Sequence, residues 1–209
     1  MSVLKICNVK YFYDKNKMVL KNISAEFEVG KMYAILGSSG CGKTTLLSLL
    51  GGLDSPCDGQ VLFQGENIEK KGLAWHRKKN VAFIFQSYNL IDYMTPAENV
   101  SLISKRSPMP ILERLGLTKE EAERNVLKLS GGQQQRVAIA RALASDASII
   151  LAAEPTGNLD EDTAAEILVI LKECAHQMKK CVIVVTHAND LAKQADLVFR
   201  LKKGELQQL

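Results

Sequence analysis

The chain has 209 residues, 46% of them hydrophobic and 24% charged, and its 27 basic and 23 acidic residues leave a net charge of +4. A chain of this length buries roughly 70–75% of the surface its unfolded form exposes, so it forms a core without disulfide staples. The densest basic patch, Lys70-Lys71 with Arg77-Lys78-Lys79, reads as a solvated face, with nucleic-acid contact the lesser alternative because no aromatics are interleaved there to stack on bases.

The five cysteines, Cys7, Cys41, Cys57, Cys174 and Cys181, form no C-x-x-C pair and have no metal-site spacing with the three histidines. They read as reduced, mostly packed thiols of a cytosolic protein. Nothing from Met1 to Asn8 resembles a secretory signal, and no apolar run approaches the ~20 residues of a membrane span. Work at a membrane is therefore expected to need a partner that carries the spans.

In chain order, the first thirty residues alternate apolar and polar in short bursts (Val3, Leu4, Ile6; Ile23, Ala25, Phe27, Val29) and stop at Gly30. That pattern predicts antiparallel strands with one wetted face. Residues 32–36 form a short apolar run, a buried strand that ends at Gly37. A helix is expected from 44 to 50, with Leu46, Leu47, Leu49 and Leu50 to pack, and Asp54-Ser55-Pro56 and Asp58-Gly59 break it. Residues 60–63 and 81–85 read as further strands. Pro96, Pro108 and Pro110 punctuate 88–125, where leucines 112, 115 and 117 alternate with charge, so a small helical insert is expected. A helix over 130–144 and a buried strand over 148–152 follow. The clearest amphipathic helix spans 162–179, with Ala164, Ile167, Leu168, Leu171, Ala175 and Met178 on one face. Residues 181–186 are a β-branched strand that ends at His187. Strands alternating with helices after residue 30 predict a parallel sheet covered on both faces. No linker, repeat or low-complexity tract divides the chain.

Two glycine-rich stretches carry chemistry. Gly37-Ser38-Ser39-Gly40-Cys41-Gly42-Lys43-Thr44 has the form G-x-x-x-x-G-K-[ST] and lies between a predicted strand and a predicted helix. Its glycines permit a curve in which the N–H groups from Ser39 to Thr45 converge on phosphate oxygens, and the helix N-terminus adds partial positive charge. Lys43 reaches β- and γ-phosphates, and the Thr44 hydroxyl is placed for Mg²⁺. Further on, Leu129-Ser130-Gly131-Gly132-Gln133 bares N–H groups at another helix start, either as a second anion site or with Ser130 as a plain N-cap. A second subunit's loop could be the one that this turn meets.

Together with Gln86 after an apolar strand, Leu-Ser-Gly-Gly-Gln-Gln-Gln-Arg from 129, Glu154-Pro155-Thr156-Gly157-Asn158-Leu159-Asp160 and His187, these stretches resemble the nucleotide-binding subunit of ATP-binding-cassette (ABC) transporters over nearly the whole chain. The wording is similar to the lipoprotein-release, macrolide-export and antimicrobial-peptide group, which includes a cell-division ATPase that partners a membrane protein without evident transport. The resemblance implies an α/β fold in one domain, 1–209. Its parts are a P-loop NTPase core with a mostly parallel sheet, an antiparallel β portion at about 2–30 and 59–85, and a small, shortened α-helical subdomain at about 88–135.

The resemblance also implies roles. Tyr13 stacks on adenine, with Tyr11 the alternative, while Gly37, Ser38, Ser39, Gly40, Cys41, Gly42, Lys43, Thr44 and Thr45 hold the nucleotide. Thr44 and Gln86 meet Mg²⁺, and Gln86 senses the γ-phosphate. Glu154 polarises the attacking water as general base. His187 holds the γ-phosphate and helps place that water, or merely packs at a turn. Asp160 lies at the dimer seam or caps the following helix. Ser130, Gly131, Gly132 and Gln133 grip the γ-phosphate of ATP held by the opposite subunit. The implied cofactors are ATP and Mg²⁺. The implied partners are a second copy or a similar subunit on ATP binding, and a separately encoded membrane permease that exports, extracts or senses a peptide, lipid or drug. The place is cytoplasmic, peripheral on the inner face of the cell membrane through the permease, with no nucleic acid. The alternative is a non-transport, ATP-dependent regulator of a membrane partner in cell-wall or division control.

Two features depart from the family. The strand before Glu154 should end in an aspartate that helps hold Mg²⁺, and Ala153 stands there. A methyl accepts no hydrogen bond, so hydrolysis is expected to fall by about one to several powers of ten while binding persists through Lys43 and the loop amides. An introduced inactivating substitution and a naturally weak hydrolase both account for Ala153; the otherwise intact site favours the first. The stretch between Glu98-Asn99-Val100 and 129 is also shorter than the family's by roughly a helix, in the region that normally docks the permease's coupling helix.

Overall fold

Strand β1 (Ser2–Asp14) pairs antiparallel with β2 (Lys17–Glu28) in the computed structural model, which describes residues 2–14 and 17–209. Met1, where the expected span 1–209 begins, lies outside the described residues. Leu4, Ile6, Leu20, Ile23 and Phe27 turn inward, while Lys5 and Glu26 pair on the wetted side. Strand β3 (Met32–Leu36), buried along its length, runs into the glycine loop, and α1 (Lys43–Leu50) leaves it. Then β4 (Asp58–Phe63) pairs with β1, and β5 (Glu66–Asn67) completes an antiparallel sheet ordered β2-β1-β4-β5.

The expectation that 59–85 belongs throughout to the antiparallel portion is corrected here. After β5 comes helix α2 (Leu73–Asn80), and then β6 (Val81–Ile84), which runs parallel to β7 (Ile149–Ala153) in the core sheet. The reason is burial: Val81 packs on one side of that sheet and Ala82 and Ile84 on the other. A strand with two apolar faces needs cover on both, which a parallel sheet with helices on each side provides.

Helices α3 (Pro96–Ser101), α4 (Met109–Arg114) and α5 (Lys119–Glu123) follow β6 and are 6, 6 and 5 residues long. Pieces this short are held by caps and packing, not by propensity. Capping boxes join Thr95 to Glu98 and Thr118 to Glu121. Leu112, Leu115, Leu117 and Ala122 share a buried cluster with Val137 and Ile139 of α6 (Gly131–Leu143).

The chain continues through α7 (Glu161–His176), β8 (Cys181–Thr186), α8 (Asn189–Ala192), β9 (Leu197–Lys202) and β10 (Glu205–Gln208). The core sheet is ordered β10-β9-β3-β8-β7-β6, and only the β10–β9 pair is antiparallel. Side chains alternate between its faces. Ile35, Leu151 and Ile183 pack with Leu46, Leu49 and Leu50 of α1, under the antiparallel sheet. Ile150, Val182 and Val184 pack with α6 and with Ile167 and Leu171 of α7. The carboxyl ends of β3, β6, β7 and β8 therefore open on one edge of the sheet, where α/β folds bind ligands.

Among the described residues, no helix is long and apolar enough to cross a membrane. Cys174 and Cys181 are buried, and burial pushes their thiols up to about 11 and about 12, while Cys57 is exposed. Because the thiolate is the reacting form, iodoacetamide at about pH 8 is expected to modify Cys57 and spare Cys174 and Cys181 until denaturant is added. Peptide mass spectrometry checks this, and labelling of Cys174 or Cys181 in the native protein would contradict the packing.

Candidate functional site: the phosphate loop and its cleft

The glycine loop turns into α1 through Gly42, whose φ of 104° is left-handed and whose added Cβ would press on Val19 and Leu20 at 3.0 and 3.1 Å. Only glycine suits that place. No acidic residue sits in the first turn of α1 and no side chain caps it, so its leading N–H groups are left to a ligand of negative charge. Lys43 is almost wholly enclosed. Its Nζ donates to the carbonyls of Gly37 (2.7 Å) and Ser38 (3.1 Å) and lies 4.0 Å from Glu154 Oε1. The loop forms one wall of a cleft of about 990 Å³, which Tyr13, Ser39, Gly40, Gly42, Lys43, Thr44, Thr45, Gln86, Ala153, Glu154 and His187 help to line. Gly37 and Ser38 sit at the adjoining mouth with His187, and Cys41 packs against the core beneath the loop.

Glu154 follows the last residue of β7 with a left-handed φ of 46°, and its amide donates to the Val185 carbonyl at 2.9 Å. Its carboxylate accepts from Thr186 Oγ1 (2.9 Å), His187 Nδ1 (2.9 Å) and, more distantly, the His187 amide (3.4 Å). One imidazole nitrogen is thus spent on orienting Glu154, and Nε2 remains for a ligand. The sequence pattern did not single out Thr186, although a polar residue ending the apolar run from Cys181 to Val185 was the available signal. Across the cleft, Gln86 Nε2 donates to Asn158 Oδ1 (3.1 Å) and Asn158 Nδ2 donates back to the Gln86 carbonyl (3.2 Å). Asn158 belongs to the 154–160 stretch that carries the resemblance, but the sequence pattern assigned it no role of its own.

The two tyrosines separate cleanly. Tyr11 is buried and its hydroxyl donates to the Asp54 carboxylate, which pushes its pKa up to about 12. Tyr13 is 68% exposed, shares a hydrogen bond of 2.9 Å with Thr45 Oγ1, and is braced edge-on by Tyr11 at 5.1 Å between centroids. Of the two, only Tyr13 has a ring available to a base.

Ala153 lies on the face of β7 that also carries Ile149 and Leu151, the α1 side, and reaches the cleft part-exposed. Mg²⁺ takes oxygen donors, commonly one or two carboxylates together with substrate phosphates. Here the Thr44 hydroxyl and the Gln86 amide are neutral, and Glu154 is the one carboxylate among the lining residues. No group of three acidic, His or Cys side chains suited to a metal occurs among the described residues. The donor set fits Mg²⁺ that arrives on nucleotide phosphates and makes no stand-alone metal site.

Ser130, Gly131, Gly132 and Gln133 do not line this cleft. Ser130 caps α6: its Oγ accepts from the Gln133 amide (3.3 Å) while Gln133 Oε1 accepts from the Ser130 amide (3.0 Å). A Cβ on Gly132 would meet Thr163 Cγ2 at 2.5 Å, and one on Gly131 would meet the Tyr88 hydroxyl at 3.0 Å. Asp160 caps α7, accepting from the Thr163 amide (3.0 Å) and hydroxyl (2.8 Å), and that amide holds its carboxyl below the usual range. Both capping alternatives are therefore realised in the single chain.

The family model described as "ABC transporter" matches residues 20–157, more than half of the chain. The ABC transporter ATP-binding protein YclH of Bacillus subtilis (strain 168) is 44% identical over 215 residues, covering 98% of this chain and 95% of YclH. The macrolide export ATP-binding/permease protein MacB of Pasteurella multocida is 41% identical over 92% of this chain, which spans 31% of that longer protein. The dimeric bacterial ABC transporter cassette MJ0796 is similar in structure, with a TM-score of 0.86, 34% identity and coverage of 99% and 98%. MJ0796 has also been solved as a dimer in a post-hydrolysis state bound to ADP and Pi, at a TM-score of 0.85 and 33% identity. A phosphate loop at the head of α1, a carboxylate one residue past β7 and these likenesses in sequence and shape agree: the chain belongs to the ABC transporter family, as an ATP-binding ATPase subunit.

Proposed function

We propose that two copies of this chain close head to tail on ATP·Mg²⁺ and that closure drives a separately encoded membrane permease, through which the subunit sits on the cytoplasmic face of the membrane. The observation that carries this reading is the incompleteness of the cleft. The loop, Gln86, Glu154 and His187 line it, while Ser130 to Gln133 stand outside it, which leaves them to meet the loop of a second chain in the head-to-tail reading. The dimeric MJ0796 cassette supports the pairing, and the ATP-binding/permease names of the relatives support a membrane partner. The export and macrolide wording favours outward movement or extraction of a peptide, lipid or drug.

Within each site the loop amides and Lys43 bind and orient the phosphates, and the Tyr13 ring stacks on adenine. Thr44 and Gln86 would hold Mg²⁺, which would supply charge neutralisation on the phosphates. Glu154, aligned by Thr186 and His187, takes the proton of the attacking water. Positioning and fixed charge then do most of the catalysis. Ala153 slows cleavage relative to binding. That same residue favours a second reading, a regulator in which bound ATP holds a membrane partner's state in cell-wall or division control. The extracellular domain of the co-purifying permease separates the two.

Sedimentation of the purified chain should show a monomer that becomes a dimer with ATP·Mg²⁺. Lys43→Ala removes charge-assisted bonds worth about 1.5–3 kcal/mol, so ATP affinity should fall on the order of 10- to 100-fold and the dimer with it. A chain that binds ATP tightly and stays monomeric at high protein concentration, with and without its permease, would refute the head-to-tail site.

A further inference from the structure

Helix α6 reaches the backbone of Glu154. Gln135, in the second turn of that helix, is fully buried, and its Nε2 donates to the Pro155 carbonyl at 2.7 Å. Pro155 immediately follows Glu154, whose left-handed φ of 46° is a conformation that a side-chain-bearing residue keeps only when its surroundings impose it. Three bonds impose it. The Glu154 amide is held by Val185 at 2.9 Å, the Glu154 carbonyl accepts from the Gly157 amide at 3.1 Å, and the next carbonyl is held by Gln135. The first two come from the sheet and the turn itself; the third comes from the helix that begins at Ser130.

Gln135 is a costly choice for that place. Its Oε1 is buried with no hydrogen-bond partner among the described residues, and an orphaned acceptor is destabilising compared with an apolar side chain of equal size. The bond that Nε2 makes is what the amide supplies and a methionine would not. The same helix also holds the loop beyond Gln86: Arg141 donates to the carbonyls of Tyr88 (3.0 Å) and Asn89 (2.5 Å), both residues with left-handed φ, 59° and 51°. Two of the strand-end loops that bring polar side chains into the cleft, those carrying Gln86 and Glu154, are thus tied to α6.

We infer that Gln135 is a positioning residue for Glu154: by tying the peptide behind Glu154 to α6, it lets the helix that begins at Ser130 set the angle of the carboxylate. This rests on the reading of Glu154 as general base. Under the head-to-tail arrangement, the N-terminus of α6 meets the other subunit's nucleotide, so the tie makes alignment of one base depend on engagement of the opposite site.

Gln135→Met keeps length and volume and removes the donor, while Gln135→Asn keeps the amide and withdraws it by one methylene. Single-turnover hydrolysis of labelled ATP by excess protein should slow about tenfold in both, with ATP affinity within about twofold. In a Glu154→Gln background the Gln135 substitutions should change the residual rate less than twofold, because nothing is left for them to position. A Gln135→Met or Gln135→Asn rate within twofold of the parent, or an undiminished tenfold loss beside Glu154→Gln, overturns the inference. Should the Met variant not fold, the Asn variant carries the same comparison. A parent whose rate is indifferent to Glu154→Gln overturns the general-base reading itself, and is recognised before Gln135 is touched.

Discussion

Ala153→Asp is expected to raise ATP turnover by about one to several powers of ten, in steady-state phosphate release with Mg²⁺. The position is prepared for it. Ala153 continues the Ile149–Leu151 face of β7 into the cleft on the α1 side, where Thr44 and Lys43 stand, and it is only part-buried. A carboxylate there keeps contact with solvent and gains a cationic neighbour in Lys43, so the fold loses little. What it adds is a negatively charged acceptor beside the neutral Thr44 and Gln86, which would help hold Mg²⁺ and order the water beside Glu154. ATP affinity measured in EDTA should stay within about twofold, since binding without metal runs through Lys43 and the loop amides. No gain in turnover would remove Ala153 as the cause of slow hydrolysis.

The second large effect is expected at the neighbouring residue. Glu154→Gln should lower single-turnover hydrolysis on the order of 100- to 10,000-fold, the range that general-base groups contribute, and lengthen the life of the ATP-bound dimer correspondingly. The amide has nearly the shape of the carboxylate but only one acceptor oxygen. Thr186 Oγ1 and His187 Nδ1 donate to Oε2 and Oε1 respectively. In the amide the oxygen can keep the His187 bond while the NH2 donates to the Thr186 hydroxyl, so the fold should lose no more than about 1 kcal/mol. Light scattering after ATP removal reads the dimer's lifetime. A variant that hydrolyses at the parent's rate would place the base elsewhere.

Local pattern made the phosphate loop legible. The glycines, Lys43 and Thr44 are contiguous, and the strand and helix flanking them have distinct apolar periods. The contents of 59–85 were less legible, because only tertiary burial tells an edge strand of one sheet from a member of another. Val81 to Ile84 differs from Val61 to Phe63 by what covers its second face, not by composition. Helix α2 has no side-chain cap and a basic last turn, Arg77-Lys78-Lys79, which the sequence shows as a solvated charged patch without marking a helix there. Thr186 and Gln135 stand 32 and 20 residues from the groups they contact, beyond any spacing rule. For Ser130 and Asp160 the sequence kept a cap and an intersubunit contact side by side. The fold realises the caps, and a side chain that caps a helix still presents that helix's start to whatever approaches it.

The two glycines at the start of α6 bear on how variants there are interpreted. Position 132 has no room for a methyl because Thr163 of α7 occupies the space, and position 131 is nearly as tight against Tyr88. An alanine at 132 disturbs the single chain before a second one is involved, so lost function in such a variant carries two causes at once, whereas at 131 a small shift of the Tyr88 hydroxyl makes room. Ser130 carries a cost of its own, because its hydroxyl caps α6 by accepting from the Gln133 amide at 3.3 Å, so its replacement also acts inside the subunit. Sequence drift at 132 is therefore resisted from inside the subunit, whatever a second copy would add.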